Sequence, residues 1–213
     1  MARRTVEITR TRLAAAVGAF ALGAWALVAG GSPASADERE LARAELQLAD
    51  GRRAGTVQFV GVDGRVTRVK AKVDLPRGRE MPGFHGLHVH ADDDPANGTG
   101  CVADADAAPE TWFVSADGHL AEPGQVHAEH VGDLPPLLLT SEGRGFSLSI
   151  TDRLTVADVV GRAVLLHADP DNLGNVPTGD ELTDYEPRPA ATALTDRSGN
   201  SGDRIACGVV AAR

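Results

Sequence analysis

Apolar and polar residues alternate along most of the chain with a period of two. Ala44, Leu46 and Leu48 alternate with Glu45 and Gln47, and Val57 and Phe59 with Thr56 and Gln58. Val69, Ala71 and Val73 alternate with Arg68, Lys70 and Lys72, and Phe146, Leu148 and Ile150 with Ser147 and Ser149. Successive side chains of a strand point to opposite faces, so each run predicts a strand with its apolar face inward and its polar face in water. Gly51, Asp63-Gly64 and Glu142-Gly143 punctuate the runs as turns. Segments 163–168 and 205–210 are nearly continuous apolar runs and predict buried strands, while 155–162 offers a single short helical turn. This is the pattern of an all-β sandwich or barrel.

Two stretches break the rhythm. Residues 91–134 and 169–203 are rich in Gly, Pro, Asp and Asn and lack strand periodicity. Loops this long in a compact domain are usually functional or disordered.

The first 36 residues read as an address rather than as fold. Arg3, Arg4, Arg10 and Arg12 precede an uncharged stretch from Leu13 to Gly30, and Ala34-Ser35-Ala36 supplies a small-residue cleavage site. The expectation is a signal peptide over 1–36, cut after Ala36, and a mature domain over 37–213 without a stable membrane span. Arg3-Arg4-Thr5-Val6 partly resembles a twin-arginine motif and Glu7 departs from it, so both export routes stay open. The expected location is the periplasm or cell envelope, or the extracellular space. Residues 1–36 hold four of the 21 basic and one of the 30 acidic residues, which leaves the mature domain a formal charge of −12. That argues against nucleic acid and anionic membrane as partners. Cys101 and Cys207 are the two cysteines, an even count that makes one disulfide the default in an oxidising compartment. A bridge closing a loop of about 100 residues stabilises by roughly 4–5 kcal/mol on the chain-entropy model.

All seven histidines, His85, His88, His90, His119, His127, His130 and His167, lie between positions 85 and 167. Histidine is the commonest metal ligand. On a strand, His88 and His90 point to one face and can grip one ion. His127, His130 and Asp133 offer two nitrogens and an oxygen at three-residue intervals, a set that suits zinc. Imidazoles without thiolate or thioether neighbours suit Cu(II) as well.

Five segments resemble the Cu/Zn superoxide dismutase family. Gly83-Phe84-His85-Gly86-Leu87-His88-Val89-His90 is similar to its first signature, and Arg204-Ile205-Ala206-Cys207-Gly208-Val209 to its C-terminal one. Asp117-Gly118-His119, His130-Val131-Gly132-Asp133-Leu134 and Gly161-Arg162-Ala163-Val164-Leu165-Leu166-His167 fall between them in the family's order. The likeness runs from about Ala42 to Val210.

The resemblance implies an eight-stranded antiparallel Greek-key barrel with two long functional loops. It implies disproportionation of superoxide to dioxygen and hydrogen peroxide by a redox-cycling copper beside a structural zinc, one of each per subunit. The implied copper ligands are His88, His90, His119 and His167; the implied zinc ligands are His119, His127, His130 and Asp133, with His119 shared. His85 and Asp171 are implied outer-sphere residues, Cys101–Cys207 the disulfide, and Arg204 the guanidinium at the mouth of the copper channel. Only Ala128 and Glu129 separate His127 from His130, a shorter insert than the family usually has. The alternatives are a copper-only dismutase and a non-catalytic copper-binding or chaperone domain on the same scaffold. Monomer and homodimer both remain open.

Overall fold

The computed structural model describes residues 41–62, 64–173 and 189–213, of 189–192 the backbone alone. The expected signal peptide and the middle of the second long loop lie outside the described residues.

The strands are β1 (Leu41–Leu48), β2 (Arg53–Val62), β3 (Val66–Asp74), β4 (Gly83–His85), β5 (Leu87–His90), β6 (Leu137–Leu139), β7 (Arg144–Thr151), β8 (Ala163–His167) and β9 (Arg204–Ala212). They form one sheet in the order β4-β6-β7-β3-β2-β1-β9-β8-β5, every pairing antiparallel. β4 and β5 are separated only by Gly86 and occupy the two ends of that order. Taken as one interrupted strand, they close the sheet into a barrel of eight. The β3–β7 and β1–β9 pairings give the Greek-key connectivity.

Gly86 marks the crossing point of β4 and β5. A Cβ there would sit 2.7 Å from Cβ of Ser201 and 2.8 Å from Cε1 of His88, contacts no side chain tolerates. The core inside the barrel is built from Leu46, Val57, Phe59, Val69, Leu87, Val89, Leu137, Leu139, Val164 and Leu166. A smaller cluster of Phe113, Ala116, Ala163, Leu165 and Cys207 lies under the first long loop. Leu87 and Val89 therefore serve the main core while His88 and His90 use the other face of β5, which is also buried.

One expectation was reversed. The alternation on β7 is present, but Phe146, Leu148 and Ile150 are 61%, 59% and 70% exposed. The register on β3 sets Ser147 and Ser149 opposite the buried Ala71 and Val69, and Phe146, Leu148 and Ile150 opposite Lys72, Lys70 and Arg68. The interior beside β7 is already filled: a Cβ on Gly145 would lie 2.6 Å from Leu139. Only small side chains fit inward there.

Two α-helices and three short 3-10 helices complete the described chain. α1 (Val156–Val159), within the segment expected to turn, opens with a capping box from Thr155 and Asp158. α2 (Pro189–Ser198) lies in a stretch read as irregular. Its signals were Pro189 at the start and Gly199 just past the end, the asymmetry typical of helix termini. No helix among the described residues is long and apolar enough to cross a membrane.

Candidate metal centre

The barrel wall presents three histidines on one outer face. His88 and His90 come from β5, His167 from the end of β8, and the covering loops bury all three. Isolated backbone bridges fasten those loops: His90 pairs with His119, and His88 with Asp133. Residues 77 positions apart, such as His90 and His167, are thereby brought within contact.

His88, His90, His119 and His167 each offer one ring nitrogen within 4.8 Å of the others. Their remaining nitrogens are bonded in ways that aim those lone pairs inward. His90 Nδ1 donates to the Asp117 carbonyl at 2.9 Å and His167 Nδ1 to the Gly202 carbonyl at 3.2 Å, which leaves Nε2 of each as an acceptor. Those two Nε2 atoms face each other at 3.4 Å, an unfavourable contact between lone pairs unless a cation lies between them. His88 Nε2 donates to Asp171 at 2.6 Å, and its Nδ1 is buried without a hydrogen-bond partner. Nε2 of His119 is buried and unpartnered too. Orphaned buried nitrogens are costly, and a bound metal ion satisfies them. The four-imidazole set fits copper.

His119 turns its other nitrogen to a second cluster. His119 Nδ1 lies 2.8 Å from Asp133 Oδ1 and 3.2 Å from His130 Nδ1. His127 Nδ1 and His130 Nδ1 are 3.1 and 3.4 Å from the same carboxylate oxygen. Ligands at about 2.0–2.1 Å from a tetrahedral zinc stand roughly 3.3 Å from one another, and the spacings around Asp133 Oδ1 and between His119 and His130 fit that distance. His127 Nδ1 is buried 3.1 Å from Asp133 Oδ1 but is not aligned for a hydrogen bond with it. His88, His119, His127 and Asp133 also cluster within 4.8 Å. The free nitrogen of His88, Nδ1, also belongs to the first cluster, and His130 Nδ1 stands 3.2 Å from His119 Nδ1 and 3.4 Å from Asp133 Oδ1.

Asp171 joins the two clusters: Oδ2 accepts from His88 Nε2 at 2.6 Å, and Oδ1 from His127 Nε2 at 2.7 Å. Gly199, at φ +60°, passes over this bridge where a Cβ would overlap Asp171 and His127. His85 spans the carbonyls of His167 (Nδ1, 2.9 Å) and Met81 (Nε2, 2.8 Å), tying β4 to the end of β8.

Burial and the neighbouring rings set the protonation of the cluster. Desolvation, reinforced by the His88 ring, lowers His119 to about 3, so the ring is neutral and free to ligate. Desolvation also pushes His88 down, and His90 and His167 well down. Burial opposes the charge on His127, but its contacts with Asp133 and Asp171 win and raise it to about 9, so in the metal-free chain the ring holds a proton that a metal ion must displace. Burial works against ionisation of Asp133 and Asp171 as well, and their histidine hydrogen bonds outweigh it, holding both below the usual carboxylate range.

The first cluster opens into a cavity of about 630 Å³ lined by His90, His119, His167, Arg197, Asp203 and Arg204, among others. Arg204 is fixed at its wall by donating to the Phe113 and Asp117 carbonyls at 2.5 Å each. Burial lowers Arg204, partly countered by Asp117. Arg197, in the last turn of α2, is a second cation on the lining that sequence reading did not single out. Cys101 and Cys207 form a disulfide with Cα atoms 5.6 Å apart, joining the first long loop to β9.

The chain matches the family model described as copper/zinc superoxide dismutase over residues 53–210. It is 32% identical over 193 residues to a Cu-Zn superoxide dismutase of Mycolicibacterium paratuberculosis, covering 85% of this chain and 82% of that one. It is 33% identical over 171 residues to the corresponding protein of Mycobacterium tuberculosis, covering 78% and 68%. A crystal structure of the clock protein EA4 superposes with a TM-score of 0.58 at 23% identity, over 81% of this chain and 94% of that chain, a likeness of fold.

Proposed function

Since the chain belongs to the copper/zinc superoxide dismutase family, we propose that it disproportionates superoxide to dioxygen and hydrogen peroxide outside the cytoplasm, as a domain processed after Ala36. Copper is held by His88, His90, His119 and His167, and zinc by His119, His127, His130 and Asp133. The observation that carries this reading is the His119 ring, whose Nε2 faces one donor cluster and whose Nδ1 faces the other. Copper, when bound, supplies a one-electron couple, and zinc a fixed positive charge beside it.

The chain's own residues do the rest. Arg204 attracts the anion: two backbone carbonyls hold its guanidinium at the wall of the cavity. His119, which lines the cavity, would take up a proton at Nε2 only when that nitrogen is free of the metal, while Asp133 faces Nδ1. Asp117 serves both ends of the channel, since its one carbonyl accepts from Arg204 and from His90. The anion-binding cation is thus set at a fixed place relative to a copper ligand.

The test is metal content and superoxide turnover of the purified protein, alone and as His119→Ala. One copper and one zinc with rapid turnover, lost in the variant, is the expected result. Copper without zinc, or metal without turnover, would favour a copper-only enzyme or a non-catalytic copper-binding domain.

A further inference from the structure

We propose that Arg153 is a positioning residue for the zinc cluster, clamping the shortened turn between His127 and His130 from outside. This rests on the zinc assignment above. Two intervening residues, Ala128 and Glu129, leave that turn little chain with which to aim both rings. Inside the turn Glu129 N–H donates to Val126 O at 2.8 Å, His130 N–H to Asp133 Oδ2 at 3.2 Å, and Asp133 N–H to His130 O at 3.2 Å. His127 N–H is turned away to the Asp196 carbonyl at 2.9 Å. Among the described residues no backbone N–H donates to the Ala128 carbonyl, which thus needs a donor from elsewhere, while the His130 carbonyl has a free lone pair beside its bond from Asp133.

Arg153 supplies it. One guanidinium nitrogen, Nη1, donates to Ala128 O at 2.7 Å and reaches His130 O at 3.4 Å. These carbonyls belong to the residue after one ligand and to the next ligand itself, so the cation spans the short insert. Its own backbone is anchored: Arg153 N–H donates to Thr151 Oγ1 at 3.1 Å, Leu154 is 1% exposed, and Thr155 caps α1. Among the described residues Arg153 forms no ion pair with a carboxylate, so the loop carbonyls are not competing with an acid for it. A charge-assisted bond to a carbonyl is stronger than a neutral one, and groups that orient ligating side chains typically change metal affinity about 10–100-fold when removed.

The experiment measures zinc affinity by chelator competition, the visible spectrum of the cobalt(II)-substituted zinc cluster, and the melting temperature of metal-free protein. It uses wild type, Arg153→Ala and Arg153→Lys. Expected are zinc binding weakened about 10–100-fold in Arg153→Ala, altered cobalt bands, and a metal-free melting temperature close to wild type. Arg153→Lys, with the charge on a shorter side chain, should recover part of the affinity. Wild-type zinc affinity and cobalt bands in Arg153→Ala would overturn the clamp alone. A melting temperature that falls equally with and without metal would also overturn it, by making Arg153 a general structural contact. A wild-type protein that takes up no zinc would overturn the zinc assignment and the clamp with it.

Discussion

The carboxylate of Asp171 accepts a hydrogen bond from Nε2 of His88 at 2.6 Å, with both side chains fully buried. Its other oxygen takes Nε2 of His127, so a single group fixes the tautomer of one ring in each cluster. Asp171→Asn keeps the shape and loses one acceptor and the charge. Both metals should then bind about 10–100-fold more weakly, read by chelator competition. The fold holds this carboxyl below its ordinary value, so its contribution to stability is present above about pH 4 and lost as pH falls through that region. The metal-free melting temperature of the variant should accordingly fall less steeply in acid than that of wild type.

The cavity wall mixes signs. Arg197 and Arg204 share it with Asp93, Asp94, Glu110, Asp117 and Asp203. Several of the acids are partly compensated: Asp93 pairs with Arg162 at 3.1 Å, and Asp117 accepts from the backbone N–H groups of Asp93 and Asp94. Arg204→Glu should slow turnover far more than Arg204→Lys, and Asp203→Asn should speed it. Both effects should shrink as salt rises, because exposed charges are screened beyond about 10 Å at 0.1 M. Turnover measured across ionic strength checks the pattern.

Removing the disulfide should do more than loosen the chain. Cys207 is fully buried against Phe113, and the carbonyl of Phe113 holds Arg204. A Cys101→Ser, Cys207→Ser double variant should lose roughly 2–5 kcal/mol of stability. At temperatures where it remains folded, its apparent affinity for superoxide should fall too, measured by rapid kinetics over substrate concentration.

Substitutions on β7 should be milder than its apolar character suggests. Ile150→Thr and Leu148→Thr, on the exposed face, should change stability by no more than about 0.5 kcal/mol. Leu139→Ala, 2% exposed beside the same strand, should cost about 2–5 kcal/mol. Denaturant unfolding of the three variants gives the comparison.

Much of the site was legible because its signals are local or carried by motifs. A two-residue period is enough to set His88 and His90 on one face of a strand. A chain with two cysteines allows only one intramolecular pairing, and the spaced signatures named the family and pointed to the histidines that the fold gathers. The tertiary structure decided the rest. Alternation reveals that β7 has two unlike faces but not which one turns inward; that sign came from its register on β3 and from Leu139 already filling the interior. α2 escaped notice because a ten-residue helix with a weak apolar stripe has little intrinsic signal beyond its terminal Pro189 and Gly199. Arg153 escaped because a side chain that binds two carbonyls asks nothing of the residue types carrying them. Hydrogen bonds to the backbone leave no trace in sequence, and only the fold could bring Arg153 to Ala128 and His130.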